Sequence, residues 1–151
     1  MNVGGQVLSK LVIKHSQLQS NMSNTKKFEP SDAELEILQV LWKHQPATVK
    51  TVHEQLAQKR EVGYTTILKQ MQRMYSDKGM LQREKSGKLH LYTAVPQEKD
   101  IQQTMTDNLV EKAFRGSAMR MVMQALGQSD TTKEELDALQ QWLDQQKEED
   151  Q

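Results

Sequence analysis

The sequence predicts a mostly α-helical protein of the α+β winged helix-turn-helix class, with a helical region after it. Three observations predict this class. Apolar residues recur at helical spacing from residue 64 to residue 78, two short strand-like runs follow within residues 81–94, and helical spacing returns beyond Pro96.

Two scaffold helices are predicted before the central helix. Ser31 followed by Glu34 is the pattern of a capping box, and Pro46 marks the end of the helix that it opens. Thr48 can cap a second helix over Val49–Lys59. The residues expected to face the core are Leu35, Ile37, Leu38, Val40, Leu41 and Trp42 in the first helix, and Val49, Val52 and Leu56 in the second.

The central helix, predicted over Tyr64–Lys78, has one apolar and one polar face. Gly79 follows it and can take the left-handed conformation that ends a helix. The polar face contains no acidic residue, and its side chains lie three or four positions apart, so they share one stripe. That stripe consists of Thr66, Lys69, Gln70 and Arg73.

A basic hairpin is predicted directly after this helix. Its strands, Leu81–Lys85 and Lys88–Ala94, are joined by Ser86-Gly87, a dipeptide suited to a tight turn. Leu89 and Leu91 alternate with polar positions, which predicts that they form the packed face of the second strand. A polar, cationic helix followed by a basic hairpin indicates sequence-specific DNA binding by a winged helix-turn-helix.

The charge distribution supports this interpretation. The chain of 151 residues has no net charge, but residues 1–95 carry +6 and residues 96–151 carry −6. Such asymmetry is typical of a nucleic-acid-binding end joined to an end with another task. An acidic, solvated tail beside a mildly basic domain would give the same distribution.

Three short amphipathic helices are predicted beyond Pro96. The first covers Asp100–Arg115, Ser117 caps the second, which Gly127 closes, and Thr132 opens the third in a capping box. They contain few large residues, which favours a core shared with a second copy of the chain; folding back on their own winged helix is the alternative. The predicted dimerisation residues are Ile101, Met105, Leu109, Phe114, Met121, Val122, Leu126, Leu136, Leu139 and Leu143.

The segments follow from these patterns. We expect a flexible extension over residues 1–27, a DNA-binding domain over 28–95, a dimerisation region over 96–147 and a frayed tail over 148–151, fraying beginning near Gln145. Met22 is a candidate for the true start of translation. A basic disordered arm in the extension could also contact DNA phosphates.

Composition excludes several classes of protein. The absence of Cys removes disulfides, thiolate metal sites and cysteine nucleophiles, and the four His show no metal-binding spacing. No Gly-rich phosphate loop or catalytic triad pattern is present, so we expect no enzymatic activity, no cofactor and no metal. No apolar run approaches a membrane span, and a soluble, cytoplasmic protein is expected.

Three stretches of the chain resemble the BlaI/MecI/CopY family of bacterial winged-helix repressors. They are Ser31–Leu38 with Leu41-Trp42, Tyr64–Leu68 continuing to Lys78-Gly79, and the wing Leu81–Tyr92 leading into the acidic helical tail. The resemblance spans about residues 28–147. It implies a homodimer that binds a palindromic operator, uses its C-terminal helices as the dimer interface and blocks transcription of nearby genes.

The family's two routes of release from DNA have no direct counterpart here. The copper-responsive branch uses Cys-x-Cys motifs, and this chain has no Cys. The β-lactam-responsive branch is cut at an Asn-Phe bond, whose matching pair here is Gln124-Ala125. Cleavage within Met119–Leu126 by a regulatory protease of different specificity is the hypothesis that follows.

The predicted DNA contacts divide into two groups, because base edges specify a sequence while phosphates position the protein. The residues assigned to base reading are Thr65, Thr66, Lys69, Gln70 and Arg73, and those assigned to phosphate contacts are Tyr64, Lys78, Arg83, Lys85 and Lys88.

Two other functions stay open: a winged helix that binds an acidic protein partner, and a regulator that senses a small molecule at the dimer interface.

Overall fold

The computed structural model describes residues 27–150. The described chain forms two compact units, of which the first ends at Thr104 and the second begins at Met105. The expectations for the N-terminal extension up to residue 26, including Met22 as a start, lie outside the described residues. Within the described range, no helix combines the length and the apolar character that crossing a bilayer requires.

The order of elements is that of a winged helix-turn-helix followed by three helices, which confirms the predicted fold class. Within residues 27–150, three helices precede a two-stranded antiparallel sheet, and three more follow it. The elements are α1 (Asp32–His44), α2 (Val49–Ala57), α3 (Tyr64–Ser76), β1 (Leu81–Ser86), β2 (Leu89–Ala94), α4 (Glu98–Phe114), α5 (Ala118–Gln128) and α6 (Lys133–Glu149).

Side-chain caps open the first two helices as predicted. The Ser31 hydroxyl accepts a hydrogen bond from the Glu34 N–H at 3.3 Å, and the Ser31 N–H donates to the Glu34 carboxylate at 3.2 Å. The Thr48 hydroxyl accepts from the Thr51 N–H at 3.2 Å. Each cap satisfies backbone N–H groups that the first turn of a helix leaves unpaired.

Two predicted helix ends lie too far along the chain. Helix α2 ends at Ala57 rather than at residue 59, and α3 ends at Ser76 rather than at residue 78. Gly79 does adopt the left-handed conformation, with φ of 65°, and the Met80 N–H donates to the Met74 carbonyl at 2.8 Å. Residues 77–79 therefore form the corner between α3 and β1.

The wing is a hairpin whose turn lies one residue later than predicted. Ser86 pairs with Leu89, so the two turn residues are Gly87 and Lys88 rather than residues 86 and 87. Gly87 has φ of 62°, which suits glycine because a side chain there would be strained. The predicted dipeptide thus contributes its Gly to the turn and its Ser to β1.

A short contact with the α1–α2 loop fixes the base of the wing. The Ala47 N–H donates to the Tyr92 carbonyl at 3.0 Å, and the Tyr92 N–H donates to the Ala47 carbonyl at 2.8 Å. An isolated two-stranded hairpin is marginally stable in water. The added pairing gives the wing the support of a third chain segment.

The packed face of the wing is opposite to the predicted one. Tyr92 is 2% exposed, whereas Leu89 is 61% exposed and Leu91 lies on the same face as Leu89. The reason is the register, which places Tyr92 beside Arg83 and on the face of the buried Leu81. The prediction that Leu89 and Leu91 form the packed face is therefore wrong.

The core of the first unit joins the three helices to the wing. It contains most of the apolar residues predicted for α1 and α2, while Leu35 and Trp42 are only half-buried. The Trp42 indole N–H donates to the Pro96 carbonyl at 2.9 Å, which satisfies its one polar group. The buried members are Ile37, Leu38, Val40, Leu41, Ala47, Val49, Val52, Leu56, Ile67, Met71, Met74, Met80, Leu81 and Tyr92.

The helices after the wing follow the predicted caps with two exceptions, and α4 covers Glu98–Phe114 where residues 100–115 were predicted. The Ser117 hydroxyl accepts from the Arg120 N–H at 3.2 Å, and the Thr132 capping box is present. Helix α5 passes through Gly127, which was predicted to close it, and ends at Gln128. Helix α6 continues to Glu149, past the predicted start of fraying, and the Asp150 N–H donates to its last carbonyls.

Candidate nucleic-acid interface

Helix α3 presents a polar face opposite to its buried one. Ile67 is 3% exposed, and Met71 and Met74 are fully buried. Because successive residues of an α-helix are about 100° apart, the side facing away from these three is centred on residue 69. The exposed side chains on that side are Thr65, Thr66, Lys69, Gln72, Arg73 and Ser76.

The base-reading residues predicted from the sequence thus share one surface, but one of them is less exposed than the others. Gln70 is half-buried at the edge of the polar face, whereas the other four are exposed. Gln72, which was not predicted, is exposed and lies on this face. Its position three residues after Lys69 and seven after Thr65 was the signal that could have identified it.

The beginning of α3 is open to solvent. Its N-cap is Gly63, which supplies no side-chain cap, and its first turn contains no acidic residue. Tyr64, the first residue of the helix, is 46% exposed and meets the His53 ring edge to face at 5.8 Å. His53 also hydrogen-bonds the Val62 carbonyl through Nε2 at 2.8 Å. Helix α2 therefore holds the start of α3 while leaving its N–H groups available to an anion.

Arg83 connects the wing to α3. Its guanidinium lies 4.1 Å from the centroid of the Tyr75 ring, a cation–π distance. A side-chain hydrogen bond with Tyr92 is the main cause that raises the pKa of Arg83 above its usual value. The Tyr75 ring of α3 thus contacts the positively charged guanidinium of Arg83 on β1, and this contact links the two elements predicted to contact DNA.

Lys85 and Lys88 occupy the outer end of the wing. Lys85 pairs with His90 near the turn, Lys88 is in the turn, and both lysines are exposed. Glu84 precedes Lys85 in sequence but projects from the other face of the strand, since side chains alternate. The tip thus offers two exposed positive charges, which are suited to binding phosphate oxygens.

Lys78 is already engaged by a carboxylate. Its Nζ forms an ion pair with Glu34, whose side chain is 2% exposed. From the sequence, Lys78, the last residue of the predicted helix, is assigned to phosphate contact. A lysine bound to a buried carboxylate contributes less charge to a phosphate than the free lysines of the wing.

The second unit contains no buried residue between positions 105 and 150. Met105 and Leu109 are 49% and 48% exposed, and Leu136 and Leu143 are 48% and 36% exposed. Three further apolar residues, which were not predicted, are at least half exposed: Met119, Met123 and Trp142. The i,i+4 spacing of the two methionines was the signal for this pair.

The remaining predicted dimerisation residues differ in exposure. Ile101 is 2% exposed and is buried within the first unit, so it offers almost no surface to a second chain. Val122 is 38% exposed. Phe114, Met121, Leu126 and Leu139 are half-buried.

The side chains that could bind a metal ion do not cluster in the described chain. Residues 27–150 contain no group of three His, Asp or Glu side chains close enough to hold a metal ion.

Comparison with known proteins assigns the chain to a family. It is 26% identical over 120 residues to the methicillin resistance regulatory protein MecI of Mammaliicoccus sciuri, covering 80% of this chain and 97% of that one. It is 29% identical over 117 residues to the penicillinase repressor of Bacillus licheniformis, covering 78% of this chain and 91% of that one.

A solved structure matches half of the chain. It is the Bacillus licheniformis BlaI monomer in complex with the blaP half-operator, with 33% identity, 50% of this chain and 90% of that chain covered, and a TM-score of 0.43. The sequence profile described as the penicillinase repressor matches residues 30–145. This match confirms the resemblance drawn from the three stretches quoted above, and the chain belongs to the penicillinase repressor family.

Proposed function

We propose that the chain is a transcriptional repressor that binds double-stranded DNA as a homodimer at an inverted-repeat operator. The observation that carries this proposal is the polar face of α3, which is exposed over three turns and contains no acidic residue. A B-DNA major groove about 12 Å wide admits such a helix. As a member of a family of repressors, the chain acts by binding DNA and not by catalysis. It acts in the cytoplasm, where bacterial DNA lies.

The roles of the contact residues follow from their chemistry. Arg73 can donate two parallel hydrogen bonds to guanine, and Gln70 or Gln72 can pair with adenine. Lys85 and Lys88, together with Tyr64 at the start of α3, bind phosphates and set the register of the protein on the duplex. Arg83 keeps the wing beside α3, and its charge adds to the same surface.

The apolar surface of the second unit supports the homodimer. Eight large apolar side chains between Met105 and Leu143 are more than a third exposed. Exposed apolar surface of this extent marks an interaction site in a protein of this size. A second copy is the partner that matches it, because a twofold dimer also matches the twofold symmetry of an inverted repeat.

Release from DNA is proposed to follow cleavage in the second unit. Met119–Leu126 lies within α5, and most of its side chains are exposed. A cut there by a regulatory protease would divide the apolar surface between two fragments, and the dimer would dissociate. An intact chain in induced cells whose target genes are active would refute this route and favour a small-molecule signal instead.

The first experiment is selection of bound duplexes from a random pool by the purified protein, at two salt concentrations. We expect enrichment of an inverted repeat whose half-sites lie about one helical turn apart, with affinity that falls steeply with salt. Enrichment of single half-sites only would contradict the dimer. Absence of enrichment at both salt concentrations would contradict DNA recognition and favour binding to an acidic protein partner.

A further inference from the structure

Glu34 is an unusual residue in the first unit, because it is a charged side chain in the core. It is 1% exposed, whereas the other buried residues of the described chain are apolar. Its Oε2 accepts the Ser31 N–H of the capping box, and its Oε1 is bound by Lys78 Nζ. Capping requires only the first of these contacts, and the second joins residues 44 positions apart in sequence.

Lys78 lies in the corner that joins α3 to the wing. Helix α3 ends two residues earlier at Ser76, and β1 begins three residues later at Leu81. Backbone hydrogen bonds hold both sides of the corner: the Lys78 N–H donates to the Arg73 carbonyl at 3.2 Å, and the Val95 N–H donates to the Met80 carbonyl at 2.8 Å. The ion pair thus ties this corner to the first turn of α1.

We propose that Glu34 and Lys78 are positioning residues for DNA recognition, which fix the angle between α3 and the wing. The inference rests on the proposed function. If the corner moved away from α1, the Glu34 carboxylate would stay buried without a cation, which is strongly unfavourable. The corner therefore has one favoured position, in which the polar face of α3 and Lys88 at the wing tip reach the same duplex together.

This role differs from the phosphate contact first assigned to Lys78, and the two roles make opposite predictions. A phosphate contact adds about one unit to the slope of log affinity against log salt concentration. A positioning residue changes the affinity and leaves that slope unchanged. Neutralising Glu34 also distinguishes the two roles. It would free Lys78 to bind a phosphate, which favours DNA binding, but it would also release the corner, which weakens DNA binding if Lys78 is a positioning residue.

The test uses Lys78→Met, Glu34→Gln and the double variant, with the labelled duplex recovered by selection as the probe. We expect each single variant to bind this duplex about tenfold more weakly with the salt slope of the wild type, and the double variant to bind no more weakly than either. Lys78→Arg, which keeps the ion pair, should bind like the wild type. Lys88→Ala is the positive control for a reduced slope.

Two outcomes of the binding test would overturn the proposal. One is a slope reduced by about one unit in Lys78→Met together with unchanged or tighter binding in Glu34→Gln, which would show a direct phosphate contact. The other is wild-type binding in all three variants, which would show that the ion pair does not affect recognition.

A second readout needs no DNA. Amide hydrogen exchange at Lys78 and Met80 should be about tenfold faster in Glu34→Gln than in the wild type, while the Val52 amide of α2 stays unchanged as an internal control. The double variant should show the same faster amide exchange at position 78 and at Met80 as Glu34→Gln. Because it buries no unpaired charge, it avoids the loss of folding stability expected for Lys78→Met alone. Unchanged exchange at the corner would overturn the inference. A failure of the wild type to bind any duplex would contradict the proposed function alone.

Discussion

Replacement of Leu136 by Ser tests the dimer proposed for the second unit. Leu136 lies in α6 and is 48% exposed in the single chain. Complete burial of a Leu side chain stabilises by about 1.5–3 kcal/mol, so covering the exposed half contributes about 0.7–1.5 kcal/mol. A twofold dimer covers two copies, and the loss in Leu136→Ser is therefore about 1.5–3 kcal/mol of association free energy.

The expected result is a dimer dissociation constant raised about 10-fold to 150-fold, since about 1.4 kcal/mol corresponds to a factor of ten. Sedimentation equilibrium over a series of protein concentrations measures this constant. Gln145→Ser is the matched control, because it introduces the same residue two and a half turns later, on the opposite side of α6. It should leave the dissociation constant unchanged.

The reasoning fails if Leu136→Ser keeps the dissociation constant of the wild type while circular dichroism shows unchanged helix content. It also fails if the wild type is a monomer at every concentration tested. In the first case α6 would lie outside the interface, and Leu109 of α4, with the same exposed fraction, would be the next position to replace.

Three further predictions concern DNA contacts, the core and backbone conformation. Arg73→Ala should weaken binding to the selected duplex by about 1–3 kcal/mol and relax the sequence preference of the protein. Lys88→Ala should weaken binding to selected and random duplexes alike and reduce the salt slope by roughly one unit. Fluorescence anisotropy measures both affinities, and equal losses on the two duplexes in both variants would contradict the division into base-reading and phosphate-binding residues. Met71→Ala, at a fully buried side chain, should lower the free energy of unfolding in urea by about 2–5 kcal/mol. Gly79→Ala, at φ of 65°, should lower the free energy of unfolding in urea by about 1–2 kcal/mol. Gly127→Ala, inside α5, should raise the free energy of unfolding by about 0.5–1 kcal/mol. Changes of the same sign in both variants would refute the conformational argument.

The features best predicted from the sequence depend on neighbours within one helical turn. Ser31, Thr48, Ser117 and Thr132 cap helices as predicted, because each hydroxyl bonds a backbone N–H three residues later. The polar face of α3 was predicted for the same reason, since side chains three or four residues apart share a side of any helix. Local spacing thus identified most of the candidate interface.

Errors arose where distant contacts decide the outcome. Alternation in β2 correctly predicted two faces, but the contact of Tyr92 with Ala47 and the register with β1 decide which face is packed. Glu34 fits a capping box, and nothing near it in sequence indicates its burial or its pairing with Lys78. Periodicity likewise placed Ile101 with the dimerisation residues, although it is buried in the first unit.

The pairing of Ala47 with Tyr92 has a consequence for how such proteins diversify. It anchors the wing at its base, where Tyr92 is 2% exposed, while residues 84–90 are exposed along the outer half of the hairpin. Substitutions or changes of loop length around Gly87 therefore leave the anchored base intact. Evolution can exchange the outer half of the wing to suit a new operator without rebuilding the domain that carries it.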